Sequence, residues 1–523
     1  MFPNNNRLFR YLVLFIVFLA AGCNLVFSNT SNLHPDEAYF WVWSRYLSPG
    51  YFDNSPMVAY IIRVFTTFGQ TEFWIRFPSF LGWLFFLGVV YFWTQKIYQN
   101  KKTAYLGVLI TVFVPLIATG SHMMTTDIPM VIWTSLTWYF SYIAVEEEKH
   151  YAWYIVGILL GLSLLAKLQS ALILIAVCLM LLIRPSKRFW FTRKEPYWAV
   201  LIGITIFTPV LYWNSLHQWA MFKFSIQHGI HRTFMFQKLL EFLGGQLLVF
   251  SFLFIALFYY TTKNLLHWKD LATQDTFLIG CFLPIFGFFS LTSLTYTALA
   301  NWPAVAYLPA IVFLAGQLNK TWQKFQFKQR KLMAFFLGCS FLISLLALTI
   351  ARYPGLLINN LQIHLPESMI AANNNFFGWD KIAQKIDALS IQKFPFRKNP
   401  IPVFCDGSYQ TASELEFYLK TPVKVFTTRE ARHSQFDYWL MEEIENYQHQ
   451  AGLLVLSNPL PRSAGLYFGK IKRIKQVSVT RFGRQIRKFD VYYFSKLNAS
   501  ALYKTALHKP LGYPGTYSNK SGN

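Results

Sequence analysis

Two adjacent acids, Asp36 and Glu37, stand in the stretch His34-Pro35-Asp36-Glu37-Ala38-Tyr39, and a third, Asp127, stands in Thr125-Thr126-Asp127-Ile128-Pro129. A carboxylate at the edge of apolar sequence is costly to keep, and one presented with a hydroxyl can take its proton, so general-base chemistry is a reading for each. Structural readings stay open beside it. Neighbouring acids at a helix start match the helix dipole, and an aspartate ahead of Pro129 serves as a cap. Lys167 breaks an apolar run of more than thirty residues. Its ammonium suits a phosphate, or it snorkels to a membrane interface. Arg45, Arg63, Arg76, Arg232 and Arg352 are weaker members of the same basic set. Tyr39, Trp41, Trp43, Tyr51 and Phe52 flank Asp53 in the same region and suit either a sugar face or an interfacial aromatic belt. His217, His228 and His231 cluster without a recognised metal-ligand spacing.

The elements that must position these residues are membrane helices. The chain of 523 residues is 54% hydrophobic and 19% aromatic but only 14% charged, against about 25% in an ordinary soluble protein. That composition excludes a disordered chain, a nucleic-acid-binding module and a disulfide scaffold. Four of the five cysteines lie in apolar runs and Cys405 stands alone, so all five read as packing residues. A hydropathy window of about 19 residues finds eleven candidate spans. They run over 9–27, 76–94, 104–119, 126–145, 151–166, 170–183, 197–213, 242–260, 276–294, 302–318 and 333–350. Leu19-Ala20-Ala21-Gly22-Cys23 has the form of a lipoprotein cleavage site, but a first membrane helix ending in small residues accounts for it equally.

Basic residues cluster in Arg7–Arg10, Lys96–Lys102, Arg184–Lys194 and Lys320–Lys331, which sets the N-terminus and these loops inside. The long loops 28–75 and 214–241 then fall outside, with Asp36, Glu37, Asp53 and Asp127 all on that face. Residues 1–350 form the membrane domain. Residues 351–523, with strand-like runs Ile401–Cys405, Val423–Phe426 and Leu453–Leu456 between helix-like stretches, read as a small outer α/β domain ending in a loose tail. This domain carries 23 basic and 12 acidic residues, a balance suited to anionic lipid or an acidic acceptor.

The run His34 to Trp43, with Tyr51-Phe52-Asp53-Asn54-Ser55-Pro56 and Glu72-Phe73-Trp74-Ile75-Arg76-Phe77-Pro78-Ser79, resembles glycosyltransferase family 39. This is the bacterial branch related to protein O-mannosyltransferases and to the aminoarabinose transferase of lipid A. The likeness continues through Thr126-Asp127-Ile128-Pro129, Lys167, Asn301-Trp302-Pro303-Ala304, Gly378-Trp379-Asp380 and Ser408 to Leu419. It implies a GT-C fold of about eleven transmembrane helices, and a sugar taken from a polyprenyl or dolichyl phosphate carrier on the outer face of the inner membrane. It places Asp36 at the catalytic acidic position, Glu37 beside it and Asp127 as the second acid of one cavity. The usual pattern has His and Pro where this chain has Asn54 and Ser55, which leaves open any metal role of the Asp53 turn.

A sugar joined to a lipid phosphate already carries a good leaving group, so the enzyme must supply a base for the acceptor hydroxyl and cations for the departing phosphate. Asp36 is the first candidate base and Asp127 the second. Glu37 would orient the acceptor or hold a cation such as Mg or Mn. Lys167, with Arg45 or Arg76, would bind the phosphate, and Asp53, Tyr39 and Trp43 the sugar or acceptor. A single displacement inverts the anomeric centre. The acceptor, whether lipid, glycan or protein, is not specified. A flippase of lipid-linked sugar is the rival from another class, but its polar groups are expected near the bilayer midplane and in repeated halves.

Overall fold

The computed structural model describes residues 6–227, 234–353, 355, 358, 367–395, 399–406, 409–427 and 433–502. The chain opens with α1 (Asn6–Thr30), and two short helices, α2 (Pro35–Arg45) and α3 (Met57–Phe65), occupy the first long loop. The bundle continues with α4 (Glu72–Tyr98), α5 (Lys101–Phe113), α6 (Pro115–Gly120), α7 (Asp127–Val145), α8 (His150–Ala166) and α9 (Leu172–Ile183). After these come α10 (Glu195–Leu216), α11 (Ala220–Gln227), α12 (Phe236–Val249), α13 (Leu253–Leu266), α14 (Thr273–Thr292), α15 (Tyr307–Lys324) and α16 (Phe327–Arg352).

Among the described residues, six helices are long and apolar enough to cross a bilayer: most of α1, α4, α7, α10, α14 and most of α16. A seventh crossing exists only if α12 and α13 count as one. Six of the eleven expected spans coincide with these long helices, and the other five are shorter or broken for local reasons. Residues 104–119 break at Val114, because Pro115 brings no N–H to continue α5 and instead starts α6. Residues 242–260 are split at Ser251, whose φ is +60°, and α12 and α13 diverge by 113°. Residues 302–318 begin as a 3-10 turn, Trp302–Ala306, with α15 following. The expected spans at 151–166 and 170–183 are helices of 17 and 12 residues.

Side chains such as Phe15, Phe18, Phe335, Phe336 and Leu342 on α1 and α16 are exposed, a surface that suits lipid rather than water. Inside the bundle, close approach is made by small residues. Gly157 and Gly161, one turn apart on α8, face α10, where a Cβ on Gly157 would stand 2.6 Å from the Ala199 carbonyl oxygen.

The C-terminal part supplies α17 (Glu367–Asn374), α18 (Trp379–Lys393), β1 (Ile401–Cys405), α19 (Tyr409–Tyr418) and β2 (Val423–Thr427). The chain then forms α20 (Gln435–Glu443), β3 (Gly452–Leu456), α21 (Ala464–Tyr467), β4 (Ile471–Arg481) and β5 (Arg484–Phe494). The sheet order is β2-β1-β3-β5-β4. The first three strands run parallel, with Val403 opposite both Val425 and Leu453, and β5 runs antiparallel to β3 and β4. Buried throughout, β1 and β3 have no polar-out alternation, as expected for strands covered on both faces. This is the small α/β domain expected from the sequence, whose tail past residue 502 lies outside the described residues.

The domain does not stand apart. Ala38, Tyr39, Trp43, Tyr51 and Ile62 of the first loop share one apolar core with Trp379, Ala412, Leu415, Phe436 and Trp439. Helix α19 lies against α2, and this shared core fixes the geometry of the site.

Candidate active site

Helix α2 begins with a reciprocal cap. The His34 ring accepts from Asp36 N–H at 3.3 Å, and Glu37 Oε2 accepts from His34 N–H at 2.8 Å. Pro35 occupies the first helical turn, where its missing N–H costs nothing. Glu37 is fully buried and meets Arg76, also fully buried, with Nη2 donating to Oε2 at 2.7 Å and Nε to Oε1 at 3.0 Å. Glu37 Oε1 also accepts from Met124 N–H at 2.9 Å. The remaining Arg76 donors go to the carbonyls of Ser28, Ser31 and Asn32 and to the Ser31 hydroxyl. One ion pair thus ties the end of α1, the start of α2, α4 and the turn before α7. Both charges are hydrogen-bonded, the condition under which a buried pair is tolerated.

Asp36, one position earlier, turns the other way, into a cavity of about 670 Å³. Tyr409 Oη donates to its Oδ1 at 3.2 Å, and His34 Nδ1 stands 3.7 Å from Oδ2. Asp127, the first residue of α7, lines the same cavity. Lys167 Nζ donates to Asp127 Oδ1 at 2.6 Å, and Asn301 Nδ2 to Oδ2 at 3.0 Å. Lys167 arrives there because α8 ends at it in an extended conformation before a 3-10 turn, Leu168–Ala171. Asn301 precedes the Trp302–Ala306 turn. Asp53 accepts from Tyr39 Oη at 3.3 Å, and that hydroxyl accepts from Gln435 N–H of α20 at 2.8 Å. Asn54, Ser55, Thr125 and Gln169 add polar lining, while Phe224, Phe288, Phe289, Leu299 and Trp302 make an apolar side. A second, apolar cavity of about 220 Å³ shares Met123, Thr125, Asp127 and Asn301 with the first and runs between Trp83, Phe86, Ile117 and Val131.

Comparison with known proteins gives three findings. Residues 53–213 match the family described as dolichyl-phosphate-mannose-protein mannosyltransferase. Lipid A galacturonosyltransferase RgtD of Rhizobium johnstonii is 23% identical over 304 residues, which are 57% of this chain and 63% of that protein. ArnT from Cupriavidus metallidurans superposes over 92% of this chain and 98% of its own, at 16% identity, with TM-scores of 0.62 for the apo state and 0.64 with undecaprenyl phosphate bound. The chain has the GT-C glycosyltransferase fold. The resemblance to family 39 drawn from the sequence agrees with the family match over residues 53–213 and with the similarity to RgtD.

Within this GT-C framework the cavity brings together Asp36, Tyr39, Asp53, Asp127 and Lys167, five of the nine residues given a role in the reaction from sequence. The other four do not line it. Glu37 and Arg76 face each other in the interior, with every guanidinium nitrogen already engaged by the protein. Arg45, expected at the donor phosphate, is exposed at the last turn of α2 over the Trp41 ring, 5.8 Å from its centroid. Trp43, expected at the sugar, is wholly buried and stacked on Tyr51 at 4.0 Å. Trp43 shares the α2 face of Asp36, Tyr39 and Phe40 but lies two turns further along from Asp36, where Tyr51 covers it, and Glu37 is drawn inward by Arg76.

The His217 ring stacks on Trp213 at 4.0 Å, while His228, His231 and Arg232 lie outside the described residues. Among the described residues no group of three or more His, Cys, Asp or Glu side chains is placed to hold a metal ion. Sequence reasoning missed Gln169 and assigned no role to Asn301 or Tyr409, although both stand in segments that carry the family resemblance. Asn301 had a signal, since Asn-Trp-Pro heads an apolar helix, and Tyr409 had none outside the family motif.

Proposed function

We propose that the protein is a membrane glycosyltransferase that moves a sugar from a polyprenyl-phosphate carrier to a hydroxyl of a lipid A-like glycolipid. The observation that carries this reading is the single cavity holding Asp36 together with the Asp127–Lys167–Asn301 cluster, with polar lining on one side and apolar lining on the other. Its volume of about 670 Å³ suits a sugar with its phosphate. The GT-C fold and the relationship to a lipid A galacturonosyltransferase support the same reaction class.

In this reading Asp36 takes the proton of the acceptor hydroxyl as its oxygen attacks the anomeric carbon. The bond from that carbon to the phosphate oxygen breaks, and the negative charge left on the polyprenyl phosphate is met by Lys167 and the Asn301 amide. Asp127 holds Lys167 in place until the donor arrives. Tyr39, Asp53, Asn54 and Gln169 provide hydrogen bonds for the sugar. One displacement leaves the product inverted. The distribution of basic loops supports an inner-membrane placement with the N-terminus cytoplasmic and the C-terminal domain periplasmic.

The test gives purified protein polyprenyl-phosphate galacturonic acid or polyprenyl-phosphate aminoarabinose, with lipid A as acceptor. Product mass and anomeric configuration are then read by mass spectrometry and NMR. An inverted glycoside on lipid A is the expected result. Label crossing liposome bilayers with no glycoside formed would replace this reading with that of a flippase.

A further inference from the structure

Asp36 is the second residue of α2, and the group that holds its carboxylate comes from the other end of the chain. Tyr409 Oη donates to Asp36 Oδ1 at 3.2 Å, and Gln410 Nε2 lies 3.5 Å from the same oxygen. Both residues open α19, in the C-terminal domain. The Tyr409 ring packs against Tyr39, centroids 4.5 Å apart, and lines the cavity beside Asp36. At its other end, Tyr418 Oη donates to Glu72 Oε1 at 2.9 Å and accepts from Leu33 N–H at 2.8 Å. Between these anchors Ala412 and Leu415 enter the core shared with α2. Helix α19 is therefore pinned at both ends to the segment that presents Asp36, and a rigid element is what a precisely aimed base requires.

Resting on the glycosyl-transfer reading above, we propose that Tyr409 is a positioning residue for Asp36, so that the C-terminal domain completes the catalytic cavity of the membrane domain. The phenol fixes one carboxylate oxygen and with it the rotamer of Asp36, leaving the other oxygen for the acceptor proton. The bundle alone then lacks an aimed base, and the domain is part of the active site rather than an appended acceptor-binding module.

The test is steady-state transfer by the full-length protein, with polyprenyl-phosphate galacturonic acid or aminoarabinose, whichever it uses, and lipid A. Tyr409→Phe removes one hydroxyl and keeps the ring. It is expected to lower kcat about tenfold, with donor KM within about twofold and melting temperature unchanged. In an Asp36→Glu background, where the carboxylate has already left its hydrogen bond, the same change is expected to slow transfer no further. A kcat for Tyr409→Phe within about twofold of wild type overturns the proposal, as does an equal tenfold loss in the Asp36→Glu background, which marks a role independent of Asp36. Failure of the underlying reading is distinct: it shows as full transfer by Asp36→Asn, whatever Tyr409 does.

Discussion

Lys167 Nζ lies 2.6 Å from Asp127 Oδ1, inside a cavity that Asp36 also lines, although α7 and the break after α8 reach it separately. An ammonium held this way is pre-oriented for a second anion, and Asn301 on the other Asp127 oxygen keeps the carboxylate from following it. Replacing Lys167 with Met is expected to lower kcat/KM for the lipid-linked donor on the order of 10²-fold, with little change in melting temperature. Lys167→Arg should recover part of the loss. Steady-state kinetics over donor concentration check this, and unchanged donor kinetics in Lys167→Met would remove the residue from the phosphate site.

The Glu37–Arg76 pair makes the opposite prediction. Both side chains are fully buried and every partner is protein, so removing one leaves the other charge stranded. Glu37→Gln and Arg76→Met are each expected to destabilise the protein by about 3–5 kcal/mol, read as a lower melting temperature and reduced yield of folded protein. Protein that does fold should keep its donor KM. A variant with normal melting and a tenfold weaker donor KM would return Arg76 to substrate binding.

The start of α2 was legible because its signals are local: a proline, two acids and a potential cap within four residues. The shared location of Asp36 and Asp127 was legible from loop charge alone, since hydropathy and basic residues fix which ends of helices meet. What was not legible is direction. Glu37 and Asp36 are neighbours in sequence, yet only tertiary packing decides that one enters the interior and the other the cavity. Tyr409 meets Asp36 across 373 residues, beyond any periodicity argument. The broken spans divide likewise: Pro115 is a local signal that the single span 104–119 passed over, whereas Ser251 carries a positive φ that no composition rule marks.

Helix α19 also gives the protein a pH dependence. Burial pushes the Glu416 carboxyl up to about 7, with Lys424 and the Val425 N–H, 3.0 Å away, pulling the other way. The folded protein therefore holds this proton over a range where the unfolded chain has released it. Stability from this group is full below the ordinary carboxyl value of about 4.5 and is lost as pH rises through about 7. Burial raises Glu414, on the same helix, in the same direction. Between pH 5 and 8 the melting temperature of the detergent-solubilised protein should carry a Glu416 component on the order of 2 kcal/mol. Glu416→Gln should flatten that component. An identical pH slope in the variant would exclude Glu416 as its source.

The central claim is that Asp36 removes the acceptor proton, and the most direct measurement is single-turnover transfer from the polyprenyl-phosphate sugar to lipid A by Asp36→Asn protein of unaltered melting temperature. The expected result is a chemical step slowed on the order of 10²–10⁴-fold, with the donor still bound at near wild-type affinity. Transfer at the wild-type rate by the asparagine variant would contradict the account.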